Sequence, residues 1–260
     1  MSRESTGHMF LVAGMLCVVC SILVSSAAVG LRPMQAANKE LDRKKNILAA
    51  ANIEDESKTI DELFEERITT KVVDLATGEY VGSDVIDPET YDQIEASKDP
   101  ARSEPIDGDA DIARIGRREK YSFVYEVKGE GDAVDQYILP VNGKGLWSTL
   151  YGFLALDKNI QDIRGITFYQ HAETPGLGGE VDNPKWKAQW PKKKAFDDAG
   201  EIRIEVLKGR VPAGSPDADY QVDGMSGATI TTKGVSQLVR FWLGDGGFKA
   251  FLDKKRGSRG

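Results

Sequence analysis

The chain has 260 residues, 40% of them apolar and 29% charged, with two cysteines, two histidines and a formal net charge of -7, enough apolar content for a core in one or two domains. The acidic total argues against a general nucleic-acid binder, because the only basic clusters are short runs such as Lys192-Lys193-Lys194, which read as solvated loop. Cys17 and Cys20 sit together near the N-terminus, so the rest of the chain has no thiol for a disulfide framework, a cysteine-held zinc or an iron-sulfur cluster, and any redox chemistry must use an organic cofactor.

Charge is unevenly spread. Residues 1–53 carry six Lys/Arg against three Asp/Glu, residues 54–111 five against 19, and residues 112–260 23 against 19. In chain order, Met9 to Leu31 is free of charge for 23 residues and is closed by Arg32 and Pro33. At about 1.5 Å per residue it covers roughly the 30 Å hydrocarbon core. One spanning helix after a short cytoplasmic tail (residues 1–8) is the expectation. A cleaved signal, with Arg3 as n-region and Ser26-Ala27-Ala28 as cleavage site, is the rival. Positive flanks favour a cytoplasmic C-terminal side, since Arg32, Lys39, Arg43, Lys44 and Lys45 outnumber Arg3 and the α-amino group. A signal-like N-terminal span exports the chain beyond it, so the residues leave orientation open.

Met34 to Ile53 reads as a helix, with Leu41, Ile47 and Leu48 at helical intervals. Glu54 to Asp111 holds short amphipathic pieces, Thr59 to Arg67 and Lys71 to Leu75, broken by Asp87-Pro88, Asp99-Pro100 and Glu104-Pro105. This predicts a peripheral, partly mobile layer, with residues 32–118 forming a helical linker and acidic subdomain. Beyond Glu119 the texture turns to strand. Tyr121 to Val127 and Gln136 to Val141 flank turn residues Gly129 to Asp132, and Leu150 to Leu156 and Gly165 to Gln170 flank a polar connection. Glu201 to Gly209 alternates apolar and charged residues, predicting a half-buried strand, and Val235 to Leu243 predicts a short amphipathic helix. The fold class is α+β with an antiparallel-rich sheet in residues 119–260, without a repeating βαβ unit.

Two segments carry the chemistry. In VDGMSGATITTKGV, Val222 to Val235, turn dipeptides precede Thr229, Thr231 and Thr232 just ahead of the helix. Free N–H groups at a helix start, with the dipole's positive end, stabilise a phosphate. A structural turn with a threonine cap is the plainer alternative. Residues 171 to 179, HAETPGLGG, contain a Thr174-Pro175-Gly176 turn and further glycines, Gly178 and Gly179. His171, one histidine without partners, is more often structural than catalytic. His171-x-Glu173 lacks the downstream Pro-Cys-x-x-Cys of a zinc deaminase. No Gly-x-Gly here has the third glycine of a dinucleotide-binding turn, so the chain is not expected to bind NADH itself.

Asp223-Gly224-Met225-Ser226-Gly227-Ala228-Thr229 resembles the Asp-x-x-Ser/Thr-Gly-Ala-Thr signal of proteins that carry FMN through a phosphoester on the last threonine, and residues 171 to 179 are similar to the His-x-Glu-Thr-Pro-Gly-Leu-Gly loop of the same FMN-binding domain. The resemblance implies that a flavin transferase uses FAD as donor to load Thr229. Asp223 would be a determinant for that enzyme, with Ser226, Gly227 and Ala228 forming the tight turn. It also implies that Glu173, Thr174 and Leu177 lie near the isoalloxazine ring, with Gly176 and Gly178 admitting the cofactor. Leu146 and Trp147 would pack on the ring, and Lys208 would stabilise negative charge.

Leu31 to Leu48, Gly145 to Asp157, Gly165 to Trp186 and Val222 to Leu252 together resemble the NqrC family, which belongs to the sodium-translocating NADH:quinone oxidoreductase. That likeness implies one member of a six-subunit bacterial inner-membrane pump, with an N-terminal helix, a periplasmic FMN domain and no metal site or activity of its own. It would pass electrons from an iron-sulfur centre to a neighbouring FMN-bearing membrane subunit and finally to quinone. Two alternatives compete: the homologous RnfG protein of the Rnf electron-transport complex, which shares the FMN motif, and a flavin-free membrane-anchored assembly protein of the same fold.

Overall fold

The computed structural model describes residues 6–131 and 133–257, so Arg3, Asp132 in the predicted turn and the last three residues lie outside the description. Helix α1 spans Thr6–Ala50 and contains the whole apolar run, whose large side chains, from Met9 to Met34, are exposed. Pro33 lies inside it. One proline removes one i to i−4 bond, and here the helix continues past the point where the apolar run ends. The chain divides into two units, Met1–Arg43 and Lys44–Gly260.

In the second unit α2 (Ile60–Arg67) starts with a reciprocal cap, the Thr59 hydroxyl accepting from the Glu62 N–H while the Glu62 carboxylate accepts from the Thr59 N–H. Strands β1 (Ile68–Asp74) and β2 (Tyr80–Val81) follow, then α3 (Gln93–Lys98) and the short hairpin strands β3 (Ser103–Pro105) and β4 (Arg117–Glu119). Next come β5 (Tyr121–Lys128), β6 (Val134–Lys144), β7 (Thr149–Asp157) and β8 (Ile163–Gln170), within one to three residues of the sequence prediction. Among the described residues β2-β1-β5-β6-β7-β8 is a six-stranded, wholly antiparallel sheet. The remaining elements are α4 (Pro184–Lys187), β9 (Glu205–Val206), β10 (Gln221–Val222), α5 (Thr229–Leu243) and α6 (Lys249–Gly257), with short 3-10 helices at Gly178–Asp182 and Ala218–Tyr220.

Both faces of the sheet are covered, which is why its strands read as nearly continuous apolar runs. Phe123, Tyr125, Ile138 and Phe153 pack on one face with Ile47, Leu48 and Leu63. Val124, Leu139, Leu154 and Ile166 pack on the other with Val235, Leu238, Trp242 and Phe251.

Three expectations are corrected. Within the acidic stretch, Lys71 to Leu75 is not peripheral: it belongs to β1 and the residue after it, and β1 pairs with β5 over seven residues from Ile68↔Val127 to Asp74↔Tyr121, burying Val72 and Val73. Glu201 to Gly209 alternates in burial, yet only Glu205 and Val206 form a strand, parallel to β10 and apart from the main sheet. The N–H groups of Arg203 and Ile204 go instead to the Ala195 carbonyl, and that of Leu207 to Val222. The helix expected over Val235 to Leu243 is α5, which begins at Thr229, six residues earlier, so all three threonines lie in its first turn.

Candidate functional site

Four stretches of chain meet at the start of α5. The Asp223–Thr229 turn is fixed first. Asp223 accepts a bond from the Val211 N–H at 2.7 Å through Oδ1, its own N–H donates to Gln189 Oε1 at 3.0 Å, and its carbonyl accepts from the Trp186 indole at 2.8 Å. Its carboxylate thus ties down the loop after Lys208. The Gly224 N–H donates to the Gly209 carbonyl at 2.8 Å, and a Cβ at Gly224 would stand 2.1 Å from the Leu207 carbonyl oxygen. This contact brings the main chain of Lys208, whose side chain is exposed, against the turn. Gly227 closes the turn at φ +73°, a region that favours glycine.

α5 then begins without a side-chain cap. Its N-cap is Ala228, and the first i to i−4 bond is Thr232 N–H to Ala228 carbonyl at 2.9 Å. The Thr232 hydroxyl is spent on the Met225 N–H at 3.1 Å. Ser226, Gly227, Thr229 and Ile230 are exposed, while Met225 and Ala228 are buried beneath them. Thr229 is therefore the first helical residue and not the cap, which removes the plainer reading of its hydroxyl. The N–H groups of the first turn, with the helix dipole, offer an anion a site beside it.

The loop 171–179 approaches from the other side. A Cβ at Gly227 would lie 2.9 Å from Leu177 Cδ2, so Leu177, 43% exposed, borders the turn. Thr174 and Gly176 are exposed, and the Thr174 carbonyl accepts the N–H groups of Leu177 and Gly179 at 3.1 and 2.9 Å. Glu173 is buried, and it draws in a third loop. Its Oε1 accepts from the N–H of Trp147 at 2.9 Å and of Ser148 at 3.1 Å, and from the Ser148 hydroxyl at 3.3 Å. Its Oε2 accepts from the Leu146 N–H at 3.2 Å and the Thr231 hydroxyl at 2.6 Å. Burial raises the Glu173 pKa, but the bonds from Thr231, Trp147, Ser148 and Leu146 outweigh it and hold the carboxyl below its ordinary value. Gly178 makes room for this arrangement, since a Cβ there would stand 2.5 Å from Thr231 Oγ1 and 2.7 Å from Glu173 Oε2.

His171 braces the same loop: Nδ1 accepts the Glu173 N–H at 3.2 Å, and Nε2, which then carries the proton, lies 2.7 Å from Asp182 Oδ2. Its environment is that of a structural histidine. Leu146 and Trp147 are held by their main chains with side chains outward, 44% and 67% exposed. Trp147 is thus not a core aromatic. Together with Leu177 and Ile230 (54% exposed), these side chains make an apolar rim near an exposed hydroxyl. The residues singled out in sequence fall into this one region, except that Lys208 reaches it by its backbone.

Ser148, Ile230 and the hub role of Thr231 were not read from sequence. Ile230 carried a usable signal, because it falls off the buried stripe Thr231, Val235, Leu238 and Trp242. Exposed apolar side chains, an uncapped helix start and a hydroxyl on a small-residue turn suit a planar cofactor held by a phosphate.

The FMN-binding domain family matches residues 145–244, which contain all three loops and α5. Over 258 residues the chain is 50% identical to the NqrC subunit of the Na(+)-translocating NADH-quinone reductase of Pseudomonas aeruginosa, covering 98% of each chain. It is 48% identical over 241 residues to the subunit of the same name from Vibrio vulnificus, covering 93% of this chain and 92% of that one. Among solved structures, NqrC of Shewanella oneidensis is similar with a TM-score of 0.77 at 30% identity, covering 85% of this chain and 99% of that one. The structure of the corresponding subunit from Parabacteroides distasonis gives a TM-score of 0.65 at 28% identity, covering 85% and 96%.

Proposed function

The chain belongs to the NqrC family of Na(+)-translocating NADH-quinone reductase subunits, and from that premise we propose that it carries its FMN covalently on Thr229 and relays electrons within the complex. Membership makes it one subunit of an oxidoreductase complex, with an FMN-binding domain and an apolar helix suited to a membrane anchor. The finer reading rests on one observation: Thr229 is exposed at the uncapped start of α5, on a turn whose other exposed residues are small, beside the rim of Leu146, Trp147, Leu177 and Ile230.

Loading requires a flavin transferase to reach Thr229 Oγ. An Oγ–P bond forms as the pyrophosphate of FAD breaks, AMP leaves, and the threonine proton is released. The first-turn N–H groups and the α5 dipole would stabilise the one negative charge that such a diester keeps. Bound there, FMN supplies reversible electron transfer, and the chain's task is position and electrostatics. Leu146, Trp147 and Leu177 offer apolar area for the ring, and Ser226 and Gly227 leave the hydroxyl accessible. Lys208 meets the turn through its main chain beside Gly224, and its exposed side chain is the cation this reading assigns to the negative charge of the bound group. The partners in this reading are the iron-sulfur centre upstream, the neighbouring FMN-bearing membrane subunit downstream, and the transferase during maturation.

The test is a denaturing gel viewed under ultraviolet light after co-expression with the transferase. The wild-type band fluoresces and the Thr229→Ala band is dark. A dark wild-type band, or a bright Thr229→Ala band, overturns the assignment.

A further inference from the structure

Resting on the covalent reading above, we propose that Glu173 is a positioning residue that couples the flavin's attachment turn to the platform under its ring and does not itself touch the flavin. The hydrogen bonds around Glu173 carry this. A carboxylate has roughly four lone-pair sites, and Glu173 receives five contacts from the protein, three of them from the successive N–H groups of Leu146, Trp147 and Ser148. No acceptor capacity is left for a ligand, and the side chain is buried.

Its partners lie in two places that matter to a flavin on Thr229. Three N–H groups belong to the turn that points Leu146 and Trp147 outward. The fifth donor, Thr231 Oγ1 at 2.6 Å, sits two residues after Thr229 in the first turn of α5. One carboxylate therefore spans the ring platform and the anchor. Charge-assisted bonds of this kind are short and directional, so the span is stiff.

The surroundings are shaped around it. Both Gly145 and Gly178 face the carboxylate so closely that a Cβ would fall 2.6 and 2.7 Å from its oxygens. The Ser148 hydroxyl, donating to Glu173, accepts from the Ala172 N–H at 2.8 Å, which joins the platform turn to the 171–179 loop a second time. Thus Glu173 governs the separation between anchor and ring contacts, while Thr231 transmits it to the helix.

The experiment uses the full chain in detergent, loaded by the co-expressed transferase, as wild type, Thr231→Val, Thr231→Ser and Glu173→Gln. Thr231→Val removes the hydroxyl with little change in shape, and Thr231→Ser keeps it. Three quantities are read: the fraction of chains carrying flavin by mass, the visible circular dichroism and fluorescence anisotropy of the bound flavin, and amide exchange at Leu146, Trp147 and Ser148 before loading. Thr231→Val and Glu173→Gln are expected to load normally, to lose at least half the flavin dichroism with lowered anisotropy, and to exchange about tenfold faster at those amides. Thr231→Ser restores all three.

A merely structural role would lower stability and leave the flavin signals alone. Wild-type dichroism and anisotropy in Thr231→Val, unchanged exchange at 146–148, or failure of Thr231→Ser to restore the signals overturns the proposal. So does a Thr231→Val chain that takes no flavin, which would assign the hydroxyl to loading. A wild-type chain that takes no flavin overturns the covalent reading and this one together, so the two failures are told apart.

Discussion

Glu119 and Glu173 are both buried carboxyls, and their environments drive them in opposite directions. Around Glu119 burial dominates and raises its pKa to about 7. The opposing contributions of its own N–H, Gln93, Ser122 and Arg118 are smaller. Gln93 Nε2 donates to it at 2.6 Å. The unfolded value is near 4.5, so between about pH 4.5 and 7 the folded state binds the extra proton. Stability is then complete below pH 4.5 and falls as pH rises to about 7, by up to about 3 kcal/mol. Glu119→Gln keeps a neutral partner for Gln93 and should flatten that fall. Urea midpoints at pH 5 and pH 8 check this: wild type is expected to lose midpoint at pH 8, the variant to hold it. Glu173 has the other sign. Its lowered pKa adds stability present above the unfolded value and lost as pH falls through the folded one. Sequence showed that Glu173 matters only through a resemblance, which set it beside the ring. Its actual partners are 25 to 58 positions away in sequence, and no local pattern encodes them. The turn that carries Thr229, by contrast, was legible as a turn because it is contiguous, from Asp223 to the helix.

At the scale of elements, β5 to β8 were readable because each is a run of apolar and β-branched or aromatic residues bounded by turn signals. β1 was hidden, since Ile68–Asp74 buries only Ile68, Val72 and Val73, without a clean alternation, amid lysine, aspartate and threonine, and the segment before it is acidic. The end of α1 is the least expected contributor. Its periodicity was visible, but not that it serves the sheet. Ile47, Leu48, Ala50 and Ala51 are buried, and Thr167 Oγ1 donates to the Asn46 carbonyl at 3.0 Å. Asn52 Nδ2 donates to the Arg164 carbonyl, and Gln136 Nε2 donates to the Ala51 carbonyl at 3.3 Å. Burying one such leucine or isoleucine is worth about 1.5–3 kcal/mol. A chain starting at Lys44 should therefore unfold cooperatively in urea, and one starting at Glu54 should be weaker by about 4 kcal/mol or more. Equal midpoints for the two would show that residues 44–53 are dispensable.

At the scale of the whole molecule, two physical signals bear on which side of a membrane receives the FMN-binding domain, and they oppose each other. Arg32, Lys39, Arg43, Lys44 and Lys45 follow the apolar run and favour retention. Against them, the unit from Lys44 onward is a folded domain of more than two hundred residues, and segments of that size are translocated largely regardless of flanking charge. The proposal is accordingly a cytoplasmic N-terminus and a periplasmic domain. A reporter that folds only in the periplasm, fused after Gly260, should be active. A reporter active only in the cytoplasm should be silent at the same junction, and protease added to spheroplasts should digest the domain. If the cytoplasmic reporter works instead, the five basic residues outweigh domain size, and loading of Thr229 must then be sought on the cytoplasmic side. Replacing Lys44 and Lys45 by glutamine separates the two causes. Activity of the periplasmic reporter unchanged by that substitution assigns the topology to the span and the domain, while an increase measures how far the flank opposes export.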